Sequence, residues 1–291
     1  MSEEQLSPTI EPQSALEIAP GVHVIPDRGI PLLPNIGLIE GSEAVLVVDT
    51  GLGPANGAIV YDWARRVAGE RKILLALTHF HPEHAFGAQA FRGRAEIIVN
   101  RLQAEEFADK AAGYLEMFQG FGPVVVEALA GTELVPADRV YDGTLTLDLG
   151  GRQVMLENIG PAHCRGDQIV WLPEEKIVFT GDLAEAGMFP IFPWFPGEDT
   201  DLDAEAWAAA LRHLSAREPA IVVPGHGALS GAELLDGIVD YMERMRAAVI
   251  EAGEEFDADA IAARFIASHP DWQGQEWPAF AARHYHDVMR G

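Results

Sequence analysis

Thr78-His79-Phe80-His81-Pro82-Glu83-His84 is the stretch on which the reading of this chain turns. Three imidazoles and a carboxylate fall within six residues. They directly follow the apolar run Ile73-Leu74-Leu75-Ala76-Leu77, which ends most simply as a buried strand. Loops at strand ends are where scaffolds carry chemistry. Neutral imidazole is the commonest metal ligand, and carboxylate oxygen is another. His79 and His81 are two apart, so in extended chain they point the same way. Glu83 and His84 lie past Pro82, which forces a turn. The cluster therefore offers two pairs of ligands to two nearby points.

Three downstream positions share this context. His163 lies in the turn-rich Gly160-Pro161-Ala162-His163-Cys164-Arg165-Gly166-Asp167. Asp182 ends the run Val178-Phe179-Thr180-Gly181, and His226 sits in Pro224-Gly225-His226-Gly227 after Ala220-Ile221-Val222-Val223. Each loop caps an apolar strand, so all can converge on one rim of a sheet. The neighbouring glycines allow close backbone approach.

These residues resemble the metallo-β-lactamase-fold hydrolases, with their His-x-His-x-Asp-His motif and later His, Asp and His ligands. The resemblance runs from about Gly21 to about Leu229 and includes Val47-Val48-Asp49-Thr50-Gly51. It implies an α/β fold, a four-layer αββα sandwich with the site between the two sheets at one edge. It also implies two metals, with His79, His81 and His163 on the first and Glu83, His84 and His226 on the second, Asp182 bridging both. Zinc is the first expectation, with iron or manganese allowed by the oxygen ligands. The implied activity is a metal-bound hydroxide attacking an ester, lactone, thioester or amide carbonyl of a partly apolar small molecule. Weak β-lactam hydrolysis is an allowed side activity; Asp182 stands where lactamases of this fold that use a cysteine ligand have Cys.

Glu83 departs from the pattern, which has Asp there. One extra methylene carries the carboxylate roughly 1.5 Å further, large against ligand tolerances of about 0.2 Å. Glu83 either still binds the second metal, or leaves it and acts as a general base, or leaves the second site weak. The last outcome fits an alternative, a mononuclear iron oxidoreductase of the persulfide dioxygenase type, which shares the fold.

The formal charge of -25 argues against a nucleic-acid partner, which would need Lys and Arg, and disfavours an anionic membrane surface. It makes a nuclease member of the fold a poor fit; a non-catalytic binding module would require lost ligands. Cys164 is the single cysteine and reads better as a small packed residue than as a ligand or redox group. The acidic start, Met1-Ser2-Glu3-Glu4-Gln5, lacks an apolar signal core, so the expected location is cytoplasmic. A homodimer is left open. Residues 1–18 are polar and contain Pro8 and Pro12, and a disordered leader is expected there. Residues 19–230 are expected to form the catalytic domain and 231–291 a helical extension packed on it.

Asp49 reads equally as a carboxylate orienting a ligand histidine or as a turn residue, and Asp167 reads as a turn residue. Two apolar segments, Met188 to Pro196 and Tyr114 to Phe121, are expected as lid elements or, alternatively, as core or dimer contacts. His284 and His286 fall on different faces of an expected helix, and His23, His213 and His269 lack ligand contexts.

Overall fold

The computed structural model describes residues 6–193, 195 and 199–290. Seven strands form the first sheet in chain order: β1 (Leu16–Ala19), β2 (Val22–Ile25), β3 (Ile36–Glu40), β4 (Ala44–Val48), β5 (Lys72–Ala76), β6 (Glu96–Asn100) and β7 (Arg139–Tyr141). Five more form the second: β8 (Thr144–Asp148), β9 (Gln153–Asn158), β10 (Gln168–Leu172), β11 (Ile177–Glu185) and β12 (Ile221–His226). β4 to β7 run parallel, as do β11 and β12, while the remaining neighbours are antiparallel.

Side-chain alternation explains the layering. In β4, Val45 and Val47 point to one face, while Ala44, Leu46 and Val48 point to the other. The first face packs on α1 (Gly53–Ala68) through Val60, Trp63 and Ala64, with α2 (Pro82–Ala85), α3 (Arg101–Gln119) and α4 (Pro123–Ala128) on the same side. The second face meets Leu156, Val170, Leu172 and Phe179 of the opposite sheet. That sheet turns Ile169, Trp171, Val178 and Val222 outward against α5 (Ala204–Ser215), α6 (Ala232–Ala252), α7 (Ala258–Ser268) and α8 (Trp277–Arg290). The result is the expected αββα sandwich, and the C-terminal helices supply much of its fourth layer.

Two expectations change. The segment expected to be a disordered leader is packed from Pro8 onward, residues 1–5 lying outside the described residues. Ile10 is 2% exposed, and Asn56 of α1 clamps this segment by accepting from Ile10 N at 3.0 Å and donating to Pro8 O at 2.8 Å. Residues 16–19 then add β1 to the sheet edge. The apolar Met188 to Pro196 segment is also divided. Phe189 and Phe192 are buried core residues, against Tyr241 and Trp272 and against Trp207 and Tyr285 respectively. Met188 and Ile191 line a cavity described below, and Trp194 and Pro196 lie outside the described residues.

Candidate metal centre

One edge of the sandwich gathers all seven candidate ligands named from the sequence. β5 runs into Leu77 and then the histidine loop, with His81 at the N-terminus of the short α2 that carries Glu83 and His84. The β9–β10 loop brings His163, β11 brings Asp182, and the last residue of β12 is His226. Two groups of buried donors result: His79, His81, His163 and Cys164, and Glu83, His84, Asp182 and His226. Within each, one ligand atom per residue lies within 4.8 Å of all the others.

Asp182 faces both groups. Its Oδ2 is 3.7 Å from His79 Nε2, while its Oδ1 is 3.3 Å from His84 Nε2 and 3.8 Å from His226 Nε2. His163 Nε2 and His81 Nδ1 approach to 3.4 Å. Cys164 Sγ lies 3.5 Å from the opposite nitrogen of His81, Nε2, so the thiol is both packed and in contact with the donor set. Glu83 is 1% exposed and stays within its quartet despite the longer side chain.

The fit to metal ions can be tested on unmet hydrogen bonds. Buried polar groups in folded proteins are nearly always satisfied. Here His79 Nε2, Glu83 Oε2, His84 Nε2 and Asp182 Oδ1 are buried without a hydrogen-bond partner. Such orphans converging on two points are what divalent cations would satisfy, and the imidazole and carboxylate donors suit them.

Electrostatics agree. Burial, reinforced by the other imidazoles, holds His79 and His81 well below the usual histidine range. Burial likewise lowers His163 and His226, so these rings are neutral donors ready for a cation. For His84, burial is overcome by the Asp182 and Asp49 carboxylates, which raise it well above its ordinary value. Burial also opposes ionisation of Asp182, but His84, His226 and His79 hold its carboxyl well below the usual range. Burial pushes Glu83 up to about 8, with the Asp182 charge adding to the rise against the pull of His84. Glu185 is raised well above its ordinary value by burial and then by Asp182.

Outer partners fix the candidate ligands. Asp49 accepts from Thr78 N at 2.7 Å through Oδ1, and from Thr78 Oγ1 and His84 Nδ1, both at 2.8 Å, through Oδ2. Between the two readings of Asp49, this contact favours orientation of His84, whose Nε2 is thereby turned toward Asp182. Asp167 accepts from Cys164 N at 2.7 Å, the turn role expected for it. Gln168 ties the sheets together at this edge: its backbone N–H donates to Thr78 O, its Nε2 to Leu77 O, and its Oε1 accepts from Tyr141. Asn35 donates to Pro224 O and Gly227 O, and Asp27 accepts from Gly227 N, which pins the His226 loop. A Cβ at Gly225 would overlap Asp182 Oδ1, so that position admits no side chain without moving the carboxylate.

A cavity of about 680 Å³ opens onto the second group. Glu83, Asp182, Glu185 and His226 are among its polar lining residues, and Ile30, Pro31, Met188, Ile191 and Leu229 are among its apolar walls. The Tyr114 to Phe121 segment lies elsewhere: Tyr114 is buried and stacks on His81, with ring centroids 5.0 Å apart, and Phe118 is also buried. His284 packs on Phe192 and His286 stacks on Phe256, away from both groups. His23 pairs with Glu40, His213 contacts Arg217 and His269 packs on Trp272.

Sandwich, strand-end loops and paired donor groups together define a metal-binding αββα protein. The chain belongs to the metallo-beta-lactamase superfamily, whose family model matches residues 29–226. It is 26% identical over 227 residues to the acyl-coenzyme A thioesterase MBLAC2 of Gallus gallus, covering 69% of this chain and 75% of that one. It is 24% identical over 215 residues to the metallo-beta-lactamase type 2 of Bacteroides fragilis, covering 72% and 75%. A linear primary-alkylsulfatase from a Pseudomonas species is 23% identical over 231 residues, covering 69% of this chain but only 43% of that protein. Among solved structures, the sec-alkylsulfatase Pisa1 from Pseudomonas sp. superimposes with a TM-score of 0.68 at 15% identity, over 94% of this chain and half of that one. A metallo-beta-lactamase from Pontibacter korlensis gives a TM-score of 0.59 at 20% identity, over 80% and 99%. These structural likenesses bear on the fold.

Proposed function

We propose that this chain is a binuclear metallohydrolase acting on an ester, thioester, lactone or amide of a partly apolar small molecule, with zinc as its first-choice metal. The observation that carries the reading is Asp182, whose two oxygens face two different donor groups. His79, His81 and His163 would hold one cation; Glu83, His84 and His226 would hold the other; Asp182 would span them. Such cations supply an activated water near neutral pH and stabilise developing negative charge on the substrate oxygen.

The chain's own residues do the rest. Asp49 holds the Nδ1 proton of His84 and so leaves Nε2 as a donor. Asn35 and Asp27 keep His226 at the cavity floor. Ile30, Met188, Ile191 and Leu229 exclude water from the substrate's apolar part and orient it. The thioesterase named among the relatives supports an acyl thioester as the first substrate to try. Glu83 remains in its quartet, which favours the hydrolase over the mononuclear iron oxidoreductase and makes a ligand role the better reading of this residue. A cytoplasmic location remains the expectation from the sequence; no helix among the described residues is long and apolar enough to cross a membrane.

Zinc-replete protein is expected to hydrolyse at least one class in a panel of acyl thioesters, lactones, aryl esters and β-lactams, with β-lactams the slowest. Dialysis against a chelator should remove the activity and added zinc restore it. Zinc-replete protein inert toward the whole panel, or activity indifferent to chelation, would overturn the reading.

A further inference from the structure

Glu185 ends β11, three residues beyond Asp182 and in register with His226 on β12. It is 4% exposed and forms part of the wall of the 680 Å³ cavity. Its side chain makes no hydrogen bond or ion pair among the described residues, and its Oε2 is buried and unpartnered. It also stands outside the quartet of Glu83, His84, Asp182 and His226. Outside the quartet, the other charged side chains of the wall, Asp27 and Arg28, are engaged. Asp27 accepts from Gly227 N and Gly29 N, and Arg28 is paired with Glu11 and donates to Thr9 O. A buried carboxyl without a partner is costly, whether ionised or protonated. Either form has lone pairs to offer a donor.

We propose that Glu185 is the acceptor for a hydroxyl or N–H group of the substrate, close to the bond that is cleaved. The substrate class is then an apolar acyl compound with a hydrogen-bond donor near its carbonyl, such as a hydroxyacyl thioester, rather than a plain acyl chain. The claim rests on the hydrolase reading only for which bond is cleaved. Recognition of the donor follows from the cavity itself. Glu185 is thus a specificity residue, and the ligand's donor removes the cost of its unmet hydrogen bond.

The test measures binding without turnover, on zinc-loaded protein. The probes are ketones in which a methylene replaces the sulfur of a decanoyl thioester, either unsubstituted or with a hydroxyl on the α, β or γ carbon. At least one hydroxyketone is expected to bind wild type about tenfold tighter than the unsubstituted ketone, about the upper end of the net worth of one hydrogen bond. Glu185→Leu should reduce that ratio to about one, and Glu185→Gln, which keeps an acceptor oxygen, should retain part of it. Both variants should hold as much zinc as wild type. The proposal is overturned if no hydroxyketone is preferred by wild type, if none of the ketones binds, if Glu185→Leu keeps the preference, or if either variant loses zinc, which would make Glu185 a metal-site residue. Hydrolysis of the corresponding thioesters by wild type is recorded separately. Its absence would count against the hydrolase reading while leaving a measured hydroxyl preference in place.

Discussion

Asp182→Ala is expected to lose at least one metal ion per chain and to reduce hydrolysis by roughly a thousandfold or more, the scale of losing metal activation of water. The geometry behind this is specific. One oxygen of Asp182 faces His79 and the other faces His84 and His226, so one carboxylate serves both donor groups. Its removal leaves the first group without an oxygen donor and the second with one carboxylate, Glu83. It also removes the strongest attraction that raises His84, since Asp182 outweighs Asp49 there. Asp182→Asn keeps the volume and one acceptor oxygen but loses the charge, so it should lie between Ala and wild type in metal affinity. Elemental analysis of the purified variants, followed by zinc titration, gives the answer. Full retention of two metals in Asp182→Ala would remove the bridging role.

Trp207→Ala should cost about 3–5 kcal/mol of unfolding free energy, the range for deleting a buried large aromatic side chain. Trp207 is 1% exposed on α5 and joins three parts of the molecule. Its indole N–H donates to Leu183 O at 3.0 Å, next to Asp182. Its ring meets His163 edge-on at 5.4 Å and Phe192 at 5.7 Å. The outer helical layer thus buttresses the candidate ligand His163 and the Asp182 strand at the same point. Trp207→Phe retains most of the packing but leaves Leu183 O without its donor, a loss of about 1–3 kcal/mol. Denaturant unfolding of the metal-free proteins reads the stability terms. Zinc titration should also show weaker binding in Trp207→Ala, because the cavity lies behind His163. Unfolding within about 1 kcal/mol of wild type for Trp207→Ala would contradict the buttress.

The parts of the fold legible in the sequence were those set by local pattern. Apolar runs ending in Thr78 and His226 marked strand ends, whereas Asp182, expected at a strand end, lies within β11, which runs on to Glu185. The alternation in Ala44-Val45-Leu46-Val47-Val48 already carries the division between the outer core and the core between the sheets. What stayed hidden depends on partners far along the chain. The polar start looked disordered because nothing local reveals that Asn56 would clamp Pro8 and Ile10. Phe189 and Phe192 share a composition with Met188 and Ile191, yet two face the core and two the cavity. Pro123-Val124-Val125-Val126 gives a β-branched run, but proline at the first position starts α4 there. Glu185 has no motif of its own: its meaning comes from standing beside His226 across two strands. Gln168 and Asn35 were missed for the same reason, since each acts through backbone groups of distant loops.

Glu83 carried the largest uncertainty in the sequence, because its extra length put the second metal in doubt. The Pro82 turn and the short α2 place it with His84, Asp182 and His226, buried and with an unmet oxygen. Metal content therefore tests the account most directly. Protein purified without added metal and then equilibrated with zinc should hold two ions per chain, and Glu83→Gln should hold one, with the ion at His79, His81 and His163 retained. A wild-type stoichiometry of one, or two ions kept unchanged in both Glu83→Gln and Glu83→Asp, would contradict a second metal held by Glu83.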